Sequence, residues 1–322
     1  MRSASEITNA ICAPCCAAPK LAPPPAGVKP DAAARRYLSR AVHSGLAGGA
    51  RAARLSPDER IRVKLLIFSD LDGTLLDHAS YDFAPARPLL AWLAARAVPV
   101  VLASSKTGAE IAGWQARMGL GRWPAIIENG AALLDGAPDD TGYRAIRAAL
   151  DALPVQLRAP FRGFGDMSAA EVAAVTGLPP DEAALAKRRA HSEPGQWSGT
   201  EAEAEAFLAA LAPQGISARR GGRFLTLSQG GTKAGRMAEL IARFRPDLTI
   251  ALGDAPNDAE MIAAADRGVI VRNDAGTPLP RLAGEDSGRI LRTTRSGPDG
   301  WVEGLTRILR QTGIDTTGEA HG

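Results

Sequence analysis

The sequence predicts an α/β fold: a doubly wound, Rossmann-like parallel-sheet core with an inserted α/β cap domain. Three observations carry that expectation. Short apolar runs without alternation recur at Val63–Phe68, Pro99–Ala103, Ala125–Ile127, Leu248–Leu252 and Val269–Val271, as strands buried on both faces of a parallel sheet require. Helical stretches separate them, which is the order of crossover connections. Between about Gly142 and Leu227 the apolar runs shorten while arginine, glycine and proline become more frequent, so this stretch reads as an insertion. The expected organisation is a disordered tail over residues 1–60, core over 61–143 and 228–313, substrate-selecting cap over 144–227, and a short tail over 314–322.

Each element has a local reason. In Pro85–Arg96, Leu89, Leu90, Trp92 and Leu93 fall at helical spacing. Thr107 can cap a helix running through Ile111, Trp114 and Met118 to a stop at Gly119, and Met261 with Ile262 marks a helix between the last two strands. Within the insertion, helices are expected at Ala145–Leu153, Ala169–Thr176, Asp181–Arg188 and Glu201–Leu211, with strand-like pieces at Pro160–Phe164 and Arg223–Leu227. An insertion in a doubly wound sheet sits over the carboxyl ends of the strands, where ligands bind.

At 322 residues, 45% hydrophobic and 23% charged, the chain can bury one large core or two smaller ones. Its formal charge of +3 is unevenly spread: residues 1–60 hold nine basic and four acidic side chains, a net of +5, which leaves −2 for the rest. The folded part is therefore close to neutral, and nucleic acid is not implied. Cys12, Cys15 and Cys16 are the three cysteines, and no second pair follows, so they read as incidental thiols in a flexible tail. Glu6 interrupts any signal-peptide core, and no apolar run is long enough to span a bilayer. The expected location is the cytoplasm, without disulfides and without a membrane partner.

Three strand ends expose polar groups: Asp70 and Asp72 after the first, Ser104-Ser105-Lys106-Thr107 after the second, and Gly253-Asp254-Ala255-Pro256-Asn257-Asp258 after Leu252. In a parallel sheet these ends share one edge, so about four carboxylates converge there and need a cation; a hard oxygen set suits Mg²⁺. Phosphoryl transfer uses such a group. One aspartate attacks phosphorus, a lysine adds positive charge, and a second acid two residues on, on the same side of the strand, serves the leaving alcohol and then water. Asp70 and Asp72 have that spacing, and Lys233 opens a helix directly after the insertion. Taken singly, SSKT also reads as a helix cap and GDAPND as a proline turn or a calcium loop. The ordered set on an α/β frame favours catalysis.

These residues resemble the four motifs of the haloacid dehalogenase superfamily, whose usual members are Mg²⁺-dependent phosphatases, over about residues 61–310. The resemblance implies Asp70 as nucleophile, Asp72 as general acid/base, Ser104 as phosphate-binding hydroxyl and Lys233 as the charge-stabilising lysine. It implies Mg²⁺ held by Asp70, the backbone carbonyl of Asp72 and Asp254, with Asn257 and Asp258 in support. An insertion after Glu128-Asn129-Gly130-Ala131 is similar to the large cap of the sugar-phosphatase branch. Within that branch Ser105-Lys106-Thr107, Gly163-Phe164-Gly165-Asp166-Met167-Ser168, Ser192-Glu193-Pro194 and Gly221-Gly222-Arg223-Phe224 resemble the mannosyl-3-phosphoglycerate phosphatase family.

The implied partner is a small-molecule sugar phosphate, first mannosyl-3-phosphoglycerate. Substrate contacts are expected from Ser105, Lys106, Asn129, Arg189, Glu193, Arg220, Arg223 and Asn257, with His191 beside them, because a phosphate, a carboxylate and several hydroxyls call for cations next to hydrogen-bonding groups. Rival readings are a glucosyl-3-phosphoglycerate or general sugar-phosphate phosphatase, a phosphomutase, and a non-catalytic sugar-phosphate sensor. Nothing in the residues sets an oligomeric state.

Overall fold

The structure, a computed structural model, describes residues 63–314 and 316, apart from residues 138 and 222. The tail expected over residues 1–60 and Cys12, Cys15 and Cys16 lie outside the described residues, as does nearly all of the expected tail after 313. The chain begins with β1 (Leu65–Ser69), α1 (Arg87–Ala95), β2 (Val100–Leu102), α2 (Gly108–Met118) and the pair β3 (Ala125–Ile127) and β4 (Ala132–Leu134). The insertion follows as α3 (Thr141–Asp151), α4 (Val155–Arg158), β5 (Phe161–Gly163), α5 (Ala169–Thr176), α6 (Pro180–Ala186), β6 (Ser192–Trp197), α7 (Glu201–Leu211), β7 (Ser217–Gly221) and β8 (Phe224–Ser228). The core resumes with α8 (Lys233–Phe244), β9 (Leu248–Gly253), α9 (Ala259–Ala264), β10 (Arg267–Arg272), β11 (Ile290–Ser296) and α10 (Gly297–Gln311).

The core is a parallel sheet in the order β11-β10-β9-β1-β2, flanked by helices on both faces. Alternation along β1 divides the two layers: Leu65 and Ile67 join α1, α2 and α10 in one apolar cluster, while Leu66 and Phe68 join α8 and α9 in the other. All four side chains are fully buried, which explains the unbroken apolar run. α2 begins and ends as its residues dictate: Thr107 and Glu110 form a reciprocal capping box, and Gly119 closes the helix at φ +70°. The insertion forms a separate antiparallel sheet, β5-β6-β8-β7. α3 and α7 pack on one face of it around Ile146, Phe207 and Leu227.

Several elements depart from the sequence expectation, and each for a physical reason. β3 touches the core sheet through one bridge, Ala103 with Ile126, and otherwise pairs with β4 as an antiparallel ribbon. β6 lies inside the cap sheet although it contains Pro194 and Gly195, two residues that argue against a central strand. Gly195 has no room for a side chain, since a Cβ there would overlap the ring of Phe161. α10 has no counterpart among the sequence expectations, since Gly297, Pro298, Gly300 and Gly304 are poor helix formers. Those glycines let the helix press against the sheet: a Cβ on Gly304 would overlap Val269.

The close approach of α10 has a use. Trp301 is fully buried beneath β1 and its indole Nε1 donates to Ser69 Oγ at 3.0 Å, while Ser69 Oγ donates to the carbonyl of Asp70 at 2.7 Å. The exit of β1 is thus tied to the helix layer below it. Trp301→Ala should cost about 3–5 kcal/mol, the usual range for truncating a buried large aromatic, read as a fall in the denaturant midpoint with an unchanged slope.

Candidate active site

The carboxyl ends of β1, β2 and β9 bring Asp70, Ser104 and Asp254 to one edge of the sheet. Since Ser69 is in register with Leu252, residues 70 and 254 leave adjacent strands at nearly the same height. β1 itself stops at Ser69, so strand alternation does not set the direction of Asp72, contrary to the expectation of one shared strand side. A turn does it instead: Leu71 is fully buried and its carbonyl accepts from the amides of Thr74, Leu75 and Leu76. Gly73 takes φ +79°, and a Cβ there would come within 2.7 Å of Asp254 Oδ2, so the turn can approach Asp254 because it carries no side chain.

The two aspartates consequently face different partners. Asp70 Oδ1 accepts from Lys233 Nζ at 2.6 Å, and the same ammonium reaches Asp258 Oδ1 at 2.7 Å. Lys233 is the first residue of α8, whose start is capped by Thr232 Oγ1 accepting from Gly235 N at 2.9 Å. Asp72 pairs instead with Lys106, Nζ to Oδ2 at 3.2 Å, and its Oδ1 is buried with no hydrogen-bond partner among the described residues. Lys106 also approaches Glu110 at 3.7 Å and lies over the Tyr81 ring.

Asp70, Asp254 and Asp258 form one cluster, with a carboxylate oxygen from each within 4.8 Å of the others. Asp254 is held by Thr74 Oγ1, donating to Oδ1 at 2.6 Å, and by Asn273 Nδ2, donating to Oδ2 at 2.6 Å. Asp258 turns its second oxygen to the amides of Asp254 (3.2 Å) and Ala255 (3.1 Å). Burial drives the acids upward: Asp70 is pushed to about 7, with Lys233 opposing and Asp254 adding to the rise, and Asp254 and Asp258 each to about 6. Burial also works against the Lys233 charge, but Asp258 and Asp70 outweigh it and hold its pKa above the usual lysine value. Three buried acids around one lysine leave an unmet demand for positive charge, and all-oxygen donors suit a hard divalent cation such as Mg²⁺.

Among the residues expected around the phosphate, Ser104 is buried and its Oγ accepts from Lys106 N at 3.2 Å. Asn129 Oδ1 accepts from Asn257 Nδ2 at 3.0 Å, so these two distant positions do meet. Ser105 is exposed and offers its carbonyl to Arg189, at 3.2 Å from Nη1 and 3.3 Å from Nη2.

The cap residues of the expected substrate set have other occupations. Arg189 also donates to Ser192 Oγ at 2.7 Å and lies 3.3 Å from Glu128, joining cap to core. Glu193 is fully buried on the face of the cap sheet against which α3 and α7 pack, where Arg147 (3.0 Å) and the amide of Gly165 (2.8 Å) donate to it. Arg220 shares that face, opposite Leu225, and pairs with Glu201 on α7. Arg223 sits at the β7–β8 turn and donates to the carbonyl of Thr176. Among the described residues neither Arg220 nor Arg223 pairs with Asp70, Asp254 or Asp258. The register places Glu193 and Arg220 on the sheet face of Leu225 and Leu227, against which α3 and α7 pack.

Sequence reading took Thr74 only as a turn residue and Glu128 only as part of the turn before the insertion, and gave Asn273 and Trp301 no role. The first follows Gly73 in the strand-exit turn and was legible as a turn residue; Asn273, just past the end of β10, carries no motif of its own.

No family model matches the sequence. Solved structures do match the fold. BT1666 from Bacteroides thetaiotaomicron, described among the phosphatases of the haloalkanoate (HAD) enzyme superfamily, superimposes with a TM-score of 0.54 at 18% identity, over 81% of this chain and 99% of its own. TM0651 from Thermotoga maritima gives 0.51 at 15% identity, over 77% and 97%. A structure described for a trigonal-bipyramidal intermediate in a phosphoryl-transfer superfamily gives 0.50 at 18% identity, over 78% and 99%. At these identities the likeness is one of fold, a Rossmann-like core with a cap.

The raised acids set a pH dependence. A carboxyl whose folded pKa lies above its unfolded value stabilises the fold below the unfolded pKa and loses that contribution as pH rises through the folded one. In chelator, the melting temperature should therefore fall as pH rises from about 5 to 8, across the values near 6 and 7 for this cluster. Asp70→Asn should flatten that slope, and millimolar Mg²⁺ should raise the melting temperature most at pH 8; a slope unchanged in Asp70→Asn contradicts the assignment.

Proposed function

We propose that the protein is a Mg²⁺-dependent phosphatase acting on a sugar phosphate through an aspartyl-phosphate intermediate. The observation that carries this reading is the buried ion triplet Asp70–Lys233–Asp258 beside Asp254, at the carboxyl edge of a parallel sheet. Its fold is also that of proteins described as HAD phosphatases. Asp70 is the nucleophile. Its Oδ1 is oriented by Lys233, which with the metal would offset the charge of the phosphoryl oxygens. The metal would be held by Asp70, Asp254 and the carbonyl of Asp72, with Asp258 and Asn257 in support, and it would supply charge neutralisation for phosphoryl transfer.

Asp72 is the general acid and base. Lys106 fixes one of its oxygens and leaves Oδ1 buried and uncommitted, the arrangement needed to give a proton to the departing alcohol and later take one from water. Ser104, at the end of β2, serves the phosphate. An intact acid/base speaks against a sensor, which has no use for Asp72.

On the substrate, motif similarity supports mannosyl-3-phosphoglycerate, released as mannosylglycerate and phosphate in the cytoplasm. A second reading, a wider set of sugar phosphates, is favoured by the internal partners of Glu193, Arg220 and Arg223. The cap over residues 144–227 then selects substrate through the opposite sheet face, the one carrying Ser192, Pro194 and Thr226.

Phosphate release from mannosyl-3-phosphoglycerate, glucosyl-3-phosphoglycerate and simple hexose phosphates, with Mg²⁺ and with chelator, tests the reading. Asp70→Asn should lower kcat on the order of 10⁴-fold with a cooperative melt retained. Turnover by Asp70→Asn near wild type would sink the nucleophile assignment, and preference for hexose phosphates would select the wider reading.

A further inference from the structure

Glu128 is a buried residue of the core whose carboxylate partners, among the described residues, all come from the cap. It is 2% exposed. Its Oε1 accepts from the amide of Ala190 at 2.9 Å; its Oε2 accepts from the amide of His191 at 3.1 Å and from Ser192 Oγ at 2.7 Å, and lies 3.3 Å from Arg189 Nε. These four residues connect α6 to β6 and form a strap lying against the core. Thr107 Oγ1 extends the contact by donating to the carbonyl of Leu185 at 3.2 Å.

The turn that carries Glu128 reaches the strand-end loops as well. The amide of Glu128 donates to the carbonyl of Lys106 at 3.0 Å, and that of Asn129 to the carbonyl of Ser104 at 2.9 Å. Asn129 meets Asn257 from the β9 loop. Gly130, at φ +90°, lies so close to the start of α8 that a Cβ would overlap the carbonyl carbon of Thr232 and the nitrogen of Lys233. Arg236, one turn into α8, donates to the carbonyls of Gly130 (3.2 Å) and Ala131 (2.9 Å). Glu128 and Asn129 adopt φ +51° and +59°, the left-handed region that side chains disfavour and that persists where surrounding contacts over-determine it.

We propose that Glu128 is a positioning residue that couples the docked cap to the placement of Ser104, Lys106 and Lys233. The proposal rests on the phosphatase reading for its kinetic consequence. A carboxylate that took part only in cap stability would need neither the two left-handed residues nor the direct contacts with three loops. Here one turn holds the cap by its side chain and the loops by its backbone, so withdrawing the cap strap withdraws four partners from a buried charge, and the turn beneath it loses its reason for the disfavoured backbone.

The test uses the full chain as wild type, Glu128→Ala, Glu128→Gln, Ser192→Ala and the double variant Glu128→Ala/Ser192→Ala. Turnover of p-nitrophenyl phosphate is the discriminating readout, because this small ester has no sugar for the cap to grip. In Glu128→Ala, kcat should fall at least fivefold with KM changed less than threefold, Glu128→Gln should recover part of the loss, and the double variant should be no worse than Glu128→Ala. Hydrogen exchange over residues 104–107 should quicken in Glu128→Ala and Ser192→Ala. A smaller fall in kcat, multiplying losses in the double variant, or unchanged exchange over 104–107 overturns the proposal. If Glu128→Ala does not melt cooperatively, Ser192→Ala and Glu128→Gln carry both readouts. If wild type releases phosphate from neither this ester nor a sugar phosphate, the phosphatase reading fails and the exchange comparison alone decides on the coupling.

Discussion

The ammonium of Lys233, buried between Asp70 and Asp258, is the interaction on which the rest of this architecture depends. An unpaired lysine in that place would carry a desolvation penalty of several kcal/mol, and so would either acid. Three segments distant in the chain must therefore arrive together: the exit of β1, the first residue of α8 and the loop after β9. The sheet order makes this possible by setting β1 beside β9. The same order determines the surplus of negative charge, since Asp254 joins a lysine that already has two partners. Stability and chemistry draw on one arrangement, for the deficit that raises the acids is also the demand that a cation would meet.

The cap holds part of its own charge inside. Toward its helices it buries Glu193 with Arg147, and Arg147 in turn pairs with Asp166 at 2.6 Å. Burial opposes ionisation of Asp166, but bonds from Arg147, Arg158 and the Gly163 amide prevail and hold it at about 2. This network ties α3, α4, β5 and β6 into one unit. Glu193, expected among the substrate contacts, is thus paired inside the cap. On the opposite face of β6, Ser192 touches the core through Glu128.

Much of the core was legible because its signals are local. The buried strands show as apolar runs, Thr107 and Gly119 bound α2, and Asp70, Asp72, Lys233 and Asp254 stand at strand ends or a helix start. β6, β7 and α10 were not legible, since what makes them is tertiary: a space filled by Phe161, an edge pairing with β8, and a helix pressed against Val269. The direction of Arg220 illustrates the same limit. Its charge suits an anionic substrate, but the sheet register decides what it meets, and an unrecognised strand conceals that register. Glu128 shows the limit most clearly, because its partners lie more than sixty positions away.

The point at which the cap enters the core gives this limit a mechanical meaning. Only residues 229–232 separate β8 from Lys233, so any displacement of the cap pulls on the segment that begins α8. Gly230 and Gly231 both take positive φ there, φ +98° and +93°, and a connection of two such residues can absorb rotation that a stiffer one would pass on. Gly130 and Arg236 press against the far side of the same junction. The lysine is thereby held by core contacts while the chain just before it is free of side chains at the two turning positions. Were the cap to dock and release about this connection, these core contacts would keep the Lys233 ammonium beside Asp70, and among the described residues the strap on Glu128 is the contact that would carry the docked position to the turn.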